Sequence, residues 1–408
     1  MLTRTLIAAV VAAALLSTTV ARAESANAGL TFAEAVGLGD QLLVWSAQRD
    51  AAKAERGLSL PRVWGPLGIT LSPQRRSAPD EDRGTEGSLS IQQTFPLTGV
   101  GSARRAQLDA AADARDAATS AGVLAAKLEI AAAWIDGWAA RERMVTATQD
   151  VELARAVLAA TERGATAGVF TAPELADARA YTSEAELALR DASGRVAETG
   201  FELARVTARA GAIEVRGDLP EAPIPEEETW AALLERARRL PAVEAKRLEA
   251  RAARARAVEE RATRGTQLVV GAEVFRDGPG ALVGGITLGV QLPHDRGQRE
   301  ALAAELEARV AVAESTTLAT QAAAELARTL HEVEHTGDVL AAVRDKLVPA
   351  ATDAAARRQR AFEVGESTIV EMLAAQRTAV AARARRADAE AAHAWARIRA
   401  FLLIEATR

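Results

Sequence analysis

The sequence predicts a mainly α chain with a small β component, built twice in tandem. Three observations carry this: matching segments recur at one offset, long stretches have helix-forming composition, and short paired segments alternate with a two-residue period. Pro96, in Phe95-Pro96, and Pro293, in Leu292-Pro293, stand 197 residues apart, as do Gly168 and Gly365. Around those glycines Thr171 answers Thr368, Glu174 answers Glu371, Leu175 answers Met372 and Ala178 answers Ala375. Near the repeat starts, Thr31-Phe32-Ala33 answers Thr229-Trp230-Ala231 at an offset of 198. Matches so far apart at nearly one offset imply elements of equal length in both halves.

The elements follow in order. Residues 1–23 are expected to be a signal peptide: Arg4 is its basic start, Leu6 to Leu16 its apolar stretch, and Ala21-Arg22-Ala23 its cleavage site. The mature chain then begins near Glu24. The first repeat (24–211) opens with a helix from about Thr31 to Leu58. A strand from Arg62 to Ser72 places Val63, Leu67, Ile69 and Leu71 on one side. Pro66 is tolerable there only at an edge or bulge. A polar loop, Pro73 to Glu86, leads to a second strand, Ser88 to Phe95, completing a hairpin over about 62–95. Gly101 to Arg163 contains no proline, and Leu124, Leu128, Ala131, Ile135 and Trp138 form a coiled-coil seam. The return helix runs from Pro173 to Ala210. A proline-rich connector (212–228) cannot be regular helix. The second repeat (229–408) has its hairpin at about 266–292, with strands Leu268–Phe275 and Leu282–Leu292 joined through Asp277-Gly278-Pro279-Gly280. Its outgoing helix, Gln298 to Phe362, should kink at Pro349. Its return helix runs from Ser367 to Leu403.

The alternating strands have two readings. One is a half-buried hairpin in a soluble sheet. The other is a membrane strand with its apolar side to lipid and its small or polar side to a lumen. Four strands cannot close a barrel, so a spanning role requires several chains to pool theirs.

Composition narrows the function. Loss of the leader removes two arginines and no acid, moving the net charge from -5 to -7, which argues against a nucleic-acid partner. The absence of cysteine excludes disulfides, thiol chemistry and a lipid anchor on cysteine. No apolar run long enough for a membrane helix is expected after the leader. Aromatics at 3 % with abundant Ala, Leu, Val, Glu and Arg fit long, closely packed helices.

Two hairpins of membrane type and two long helical hairpins in tandem resemble the layout of TolC-like outer-membrane efflux proteins. The segment Val364-Gly365-Glu366-Ser367-Thr368-Ile369-Val370-Glu371-Met372-Leu373-Ala374-Ala375-Gln376 resembles that family's helix-to-helix tip, and Gly168 to Ala178 repeats it. Phe95-Pro96 to Gly101 and Leu292 to Gly297 resemble its strand-to-helix junctions. The resemblance implies a homotrimer whose long helical hairpins form an α-barrel, with four strands per chain in one shared transmembrane β-barrel. It implies no cofactor and no catalysis, a place in the outer membrane with most of the chain in the periplasm, and partners in a periplasmic adaptor and an inner-membrane pump. It makes Gly168, Thr171, Gly365, Ser367 and Thr368 the adaptor-docking tips, and Glu371, Glu174 and Asp177 the candidate periplasmic gate. Ala374 and Ser367 depart from the acid and base found in some members, which puts a salt-bridged gate in doubt. The competing reading of Glu174 and Glu371 is that they serve as N3 caps to Thr171 and Thr368. The junction Leu292 to Gln298 resembles the form seen in outer-membrane partners of heavy-metal cation exporters, which makes metal cations the cargo class this likeness favours.

Two other functions compete. A periplasmic adaptor also carries a helical hairpin, although usually one. His331-Glu332-Val333-Glu334-His335 satisfies a zinc-protease pattern, but it lies in an unbroken helix with no third ligand in sequence view. The arginines of 247–264 and 383–386, interleaved with acids, read as solvated helix faces. Trp134 and Trp138 read as seam packing or as residues near an interface rather than as ligand contacts.

Overall fold

The computed structural model describes residues 29–57, 67–75, 85–223, 229–263, 265–277, 281–292 and 296–408. The expected leader, Pro66, the turn at 278–280 and residues 293–295 lie outside them. In chain order the elements are α1 (Phe32–Gly37), a 3-10 turn (Leu38–Gln41), α2 (Leu43–Gly57), β1 (Leu67–Arg75), β2 (Thr85–Pro96), α3 (Val100–Thr166) and α4 (Ala172–Val206). The second half gives α5 (Trp230–Ala237), α6 (Pro241–Thr263), β3 (Gln267–Asp277), β4 (Ala281–Gln291), α7 (Arg296–Ala342), a π-helical turn (Val343–Leu347), α8 (Val348–Glu363) and α9 (Ile369–Glu405). The chain divides into two compact units. One comprises Met1–Trp45, Gly122–Leu240 and Gln321–Arg408, the other Ser46–Ala121 and Pro241–Thr320.

The second unit carries the sheet. All four strands pair antiparallel in the order β1-β2-β3-β4, so the hairpins of the two repeats join directly through β2 and β3. Register then sorts the side chains. Ile69, Ile91, Ala272 and Ile286 stand in one row across the sheet, and Leu71, Leu89, Val274 and Gly284 in the next. The opposite face carries Gly68, Gln92, Gly271 and Thr287, then Thr70, Ser90, Glu273 and Gly285. A soluble half-buried sheet would bury the apolar rows. Here they are open: Ile69 is 63 % exposed, Leu71 73 %, Ile286 81 % and Leu288 72 %. An apolar face this extensive, with nothing over it among the described residues, marks a contact with lipid or protein rather than with water. β1 runs on to Arg75, through the Pro73 assigned to the loop. As an edge strand it needs no ladder bond from that residue.

The helices of this unit are joined by small side chains and charges. Ala250 and Ala257 of α6 and Ala301, Ala304 and Ala308 of α7 are buried. Arg256 pairs with Glu307 at 3.5 Å, Lys246 with Glu314 at 3.5 Å, and Arg261 with Glu305. The arginine-rich run is therefore not only a solvated face, because part of it bridges two helices. Arg56 likewise joins α2 to α3 through Asp113 and Asp116, at 3.0 and 2.7 Å.

The first unit has the larger core. Trp134 is fully buried and donates its indole N–H to the Leu30 carbonyl at 2.9 Å. Phe32 meets its ring edge to face at 5.4 Å. Ile130, Ile135, Leu203, Ile213 and Ile398 complete the cluster, so the predicted seam is core where it includes Ala131, Ile135 and Trp138. One stretch of α3 reaches the length and hydropathy of a membrane helix, contrary to expectation. The same helix supplies Ile130, Ala131, Trp134 and Ile135 to this core, and packing accounts for its apolar character. The start of the connector lies against the helices. Leu30 and Val215 form a parallel bridge, Arg141 donates to the Val215 and Gly217 carbonyls at 3.2 and 3.0 Å, and Arg397 donates to the Ala222 carbonyl. Gly137 permits this approach, since a Cβ there would lie 2.6 Å from Val215 Cγ2.

One helix expectation is corrected and another gains detail. The helix expected over 31–58 breaks at Leu38–Gln41. Gly37 and Gly39 weaken it there, and Asp40 turns out to meet Lys127 at 2.7 Å. The outgoing helix of the second repeat, expected to kink at Pro349, changes winding just ahead of it. A π turn over Val343–Leu347 precedes the proline, which sits in the first turn of α8. Widening the turn relieves the clash of the ring with the carbonyl one turn back.

The sheet makes a face-specific prediction. Ile286→Arg puts a charge on the apolar face, at a cost of about 2–4 kcal/mol at the middle of a bilayer. Thr287→Arg puts it on the other face. The first variant is expected to lose recovery from the membrane fraction and the second to keep it; equal recovery would mean that the apolar face does not lie against lipid.

Candidate functional site: the two helical tips

The tips lie between α3 and α4 and between α8 and α9, and their backbones are near copies. Gly168 has φ +73° and Gly365 φ +79°, conformations that residues with a Cβ rarely adopt. The Gly168 N–H donates to the Ala165 carbonyl at 3.1 Å and the Val169 N–H to the Gly164 carbonyl at 2.8 Å. At the second tip the Gly365 N–H donates to Phe362 at 3.0 Å and the Glu366 N–H to Ala361 at 2.8 Å. Both returning helices then open with a full capping box, Thr171 with Glu174 and Thr368 with Glu371. The reversal and the caps are what the glycine and Thr-x-x-Glu spacing predict.

The caps occupy the candidate gate carboxylates. Glu174 accepts the Thr171 backbone N–H at 2.7 Å and its hydroxyl at 2.8 Å. These bonds, the backbone one foremost, hold its carboxyl below the usual glutamate range. Glu371 accepts the Ser367 hydroxyl at 2.7 Å and the Thr368 N–H at 3.2 Å, and meets Arg358 at 3.5 Å. The Ser367 bond, then Thr368 and Arg358, hold it low as well. Asp177 is exposed on α4. The structure thus gives Glu174 and Glu371 a capping role and leaves their electrostatic role as a second use of the same charge.

Behind the tips, the two repeats are tied by residues that sequence reasoning passed over. Phe170 stacks on Phe362 at 5.7 Å with planes 8° apart, joining one tip to the helix entering the other. Ile369, Met372 and Leu373 of α9 are buried against Val151 and Ala154 of α3 and Ala178, Tyr181 and Ala185 of α4. A polar brace lies along this seam. Arg377 reaches Glu184 at 2.6 Å and lies 5.3 Å over the Tyr181 ring, whose hydroxyl donates to Asp150 at 2.5 Å. Burial, then the Asp150 bond, pushes the Tyr181 hydroxyl's pKa up, so it stays a donor. Higher up α9, Arg383 donates to Gln149 at 3.3 Å and Asp388 accepts Arg143 at 2.5 Å. The 383–386 cluster is therefore partly a cross-repeat contact, alongside the local Arg386–Glu390 pair at 2.8 Å.

The zinc-protease pattern fails on its surroundings. Glu332 is engaged by Arg328 and Arg399, and among the described residues no group of three His, Cys, Asp or Glu gathers to hold a metal.

The fold combines a duplicated helical hairpin with a four-stranded sheet whose apolar face is open. The sequence profile of the outer membrane efflux protein family matches residues 40–209, most of the first repeat. A membrane protein from Pseudomonas aeruginosa superposes with a TM-score of 0.77 at 19 % identity, covering 91 % of this chain and 92 % of that one. CusC, described in terms of transmembrane channel formation, gives 0.76 at 15 %, covering 93 % of each chain. The outer membrane protein VceC of Vibrio cholerae gives 0.72 at 17 %, covering 92 % and 95 %. Identities this low speak for the fold. No curated protein matches in sequence. The first repeat thus matches the outer membrane efflux protein family in sequence, and the chain as a whole shares the fold of these solved structures.

The tips yield two predictions. Gly365→Ala is expected to destabilise its turn by about 1–2 kcal/mol, because Ala resists the left-handed backbone. Gly194→Ala, in the open interior of α4 with nothing near a new Cβ, should instead gain about 0.5–1 kcal/mol. Hydrogen exchange at the two sites distinguishes them, and equal effects would refute the tip assignment. With depressed carboxyls, the caps contribute stability that is complete above the ordinary glutamate pKa and is lost as pH falls through the lowered values. Tip amides should therefore keep their protection at pH 5 and lose it only in stronger acid.

Proposed function

We propose that three copies of this chain form the exit duct of a tripartite efflux system. Four strands from each copy close one β-barrel through the outer membrane, and the long helices continue as an α-barrel into the periplasm. The chain does no bond chemistry; an inner-membrane pump supplies the driving force. The exposed apolar rows of the sheet, beside two edges unpaired among the described residues, carry this reading. A periplasmic adaptor docks at the tips around Gly168, Thr171, Gly365, Ser367 and Thr368, where Val169 and Val364 are each 70 % exposed. Against the rival reading of the chain as an adaptor stand the two matched hairpins and a sheet whose apolar side is uncovered among the described residues.

The gate combines charge and bracing. Glu371, Glu174 and Asp177, repeated by threefold symmetry, ring the periplasmic opening and favour cations. With Glu371 tied to its cap and to Arg358, the restraint between α9 and the first hairpin falls to the brace from Arg377 to Glu184 and Tyr181. Opening then means moving α9 away from α4. Metal cations are the cargo class that the Leu292 to Gln298 junction favours.

The mass of the species extracted by mild detergent from the outer-membrane fraction tests the duct. A trimer is expected, and a monomer in the soluble periplasm would replace the duct with the adaptor. In planar bilayers, Arg377→Ala is expected to raise conductance several-fold while Arg377→Lys retains most of the closure. Unchanged conductance in the alanine variant would remove the brace from the gate.

A further inference from the structure

His331 and His335 sit one turn apart on α7, both exposed, with ring centroids 6.4 Å apart and planes 19° from parallel. Neither ring has a hydrogen-bond or ion-pair partner among the described residues. The contrast is His393, which faces the same helix from α9 and is half-buried with Nδ1 3.2 Å from the Thr336 hydroxyl. That histidine has a packing role, whereas the exposed pair has none. Two imidazoles at i and i+4 project from one face, stacked one above the other. Each exposed side chain is free to turn about two bonds, so both ring nitrogens can approach one ion at the usual distance of about 2.0–2.1 Å. Imidazole suits late first-row divalent cations and is their commonest protein ligand.

We propose that His331 and His335 form a two-nitrogen chelating site for a divalent transition-metal cation, with copper(II) bound most strongly. Glu332 is held by Arg328 and Arg399, so it does not join. Water fills the remaining positions. The site is a surface chelate rather than a catalytic centre, because it lacks both a third protein ligand and an enclosing cavity. Copper(II) outranks nickel(II) and zinc(II) at such a site by the general order of divalent affinities. The inference stands apart from the duct reading, since it needs only this helix face.

The test is titration of the purified, detergent-solubilised full chain with copper(II), followed by electron paramagnetic resonance and calorimetry. One copper per chain is expected, with nitrogen hyperfine structure and tighter binding than zinc(II). His331→Ala and His335→Ala should each weaken binding on the order of tenfold or more, since losing a direct ligand costs no less than losing the residue that orients it. His393→Gln should leave binding unchanged. Both alanine positions are exposed, and circular dichroism of each variant reports that the helix is kept. Should an alanine variant misfold, His331→Gln and His335→Gln replace it. Absence of copper binding in the parent chain, or equal binding in the parent and both single variants, would overturn the site. So would loss confined to His393→Gln.

Discussion

The edges of the sheet set the terms for everything else. Within the described chain β1 and β4 each pair on one side only, leaving a row of backbone N–H and C=O groups on the other. Water can satisfy such groups; hydrocarbon cannot, and each one left open there costs several kcal/mol. The exposed rows of Leu, Ile and Val press in the opposite direction, since they are stable only away from water. One chain cannot satisfy both demands, because four strands do not close. Several chains can, if β4 of one meets β1 of the next. The order β1-β2-β3-β4 makes that joint possible, since each repeat contributes one outer edge.

Duplication fixes the ends of the helices more tightly than their middles. At the tips, backbone hydrogen bonds, glycine conformation and capping box recur almost atom for atom across 197 residues. Between those ends the repeats diverge. α3 is unbroken, whereas the matching stretch of the second repeat takes up a π turn ahead of Pro349. The tips themselves differ in side chains: Ser367 and Arg358 load the Glu371 carboxylate, while Glu174 is bound by Thr171 alone among the described residues. The second tip thus carries the more heavily engaged acid, and α9 behind it carries the arginines that reach the first repeat.

How much could be read from the residues follows from the range of the forces. Strand parity at Ile69, Leu89 and Ile286, the turns at Gly168 and Gly365, and the caps at Thr171 and Thr368 were all legible, because each depends on neighbours within a few positions. The pairing of β2 with β3 was not, since nothing local says which strand lies beside Ile91. The brace was invisible for the same reason. Arg377 and Glu184 are far apart in sequence, and their meeting depends on how α4 and α9 are rotated. Arg383, Asp388 and Arg256 looked like surface charges because exposed and bridging residues share a composition. The hairpins' environment lay between these extremes. Alternation gave two faces, and only exposure of the apolar one separated lipid from a soluble core.

The balance between the two kinds of tie at the tips also bears on how such a gate can move. The Tyr181–Asp150 bond lies inside the first hairpin, buried and charge-assisted, and a bond of that kind contributes about 1.5–3 kcal/mol. It fixes α4 on α3. The links from α9 to that hairpin are of a different sort. Arg377 and Glu184 are about half exposed, and such pairs contribute at most about 1 kcal/mol. The apolar contacts of Ile369, Met372 and Leu373 are broader but not directional, so they tolerate sliding. A hairpin rigid within itself and held to its neighbour by weak polar pairs over an apolar seam will separate along that seam before it unravels. The element that moves in the proposed opening is then α9 with its tip, and the first hairpin is the frame against which it moves.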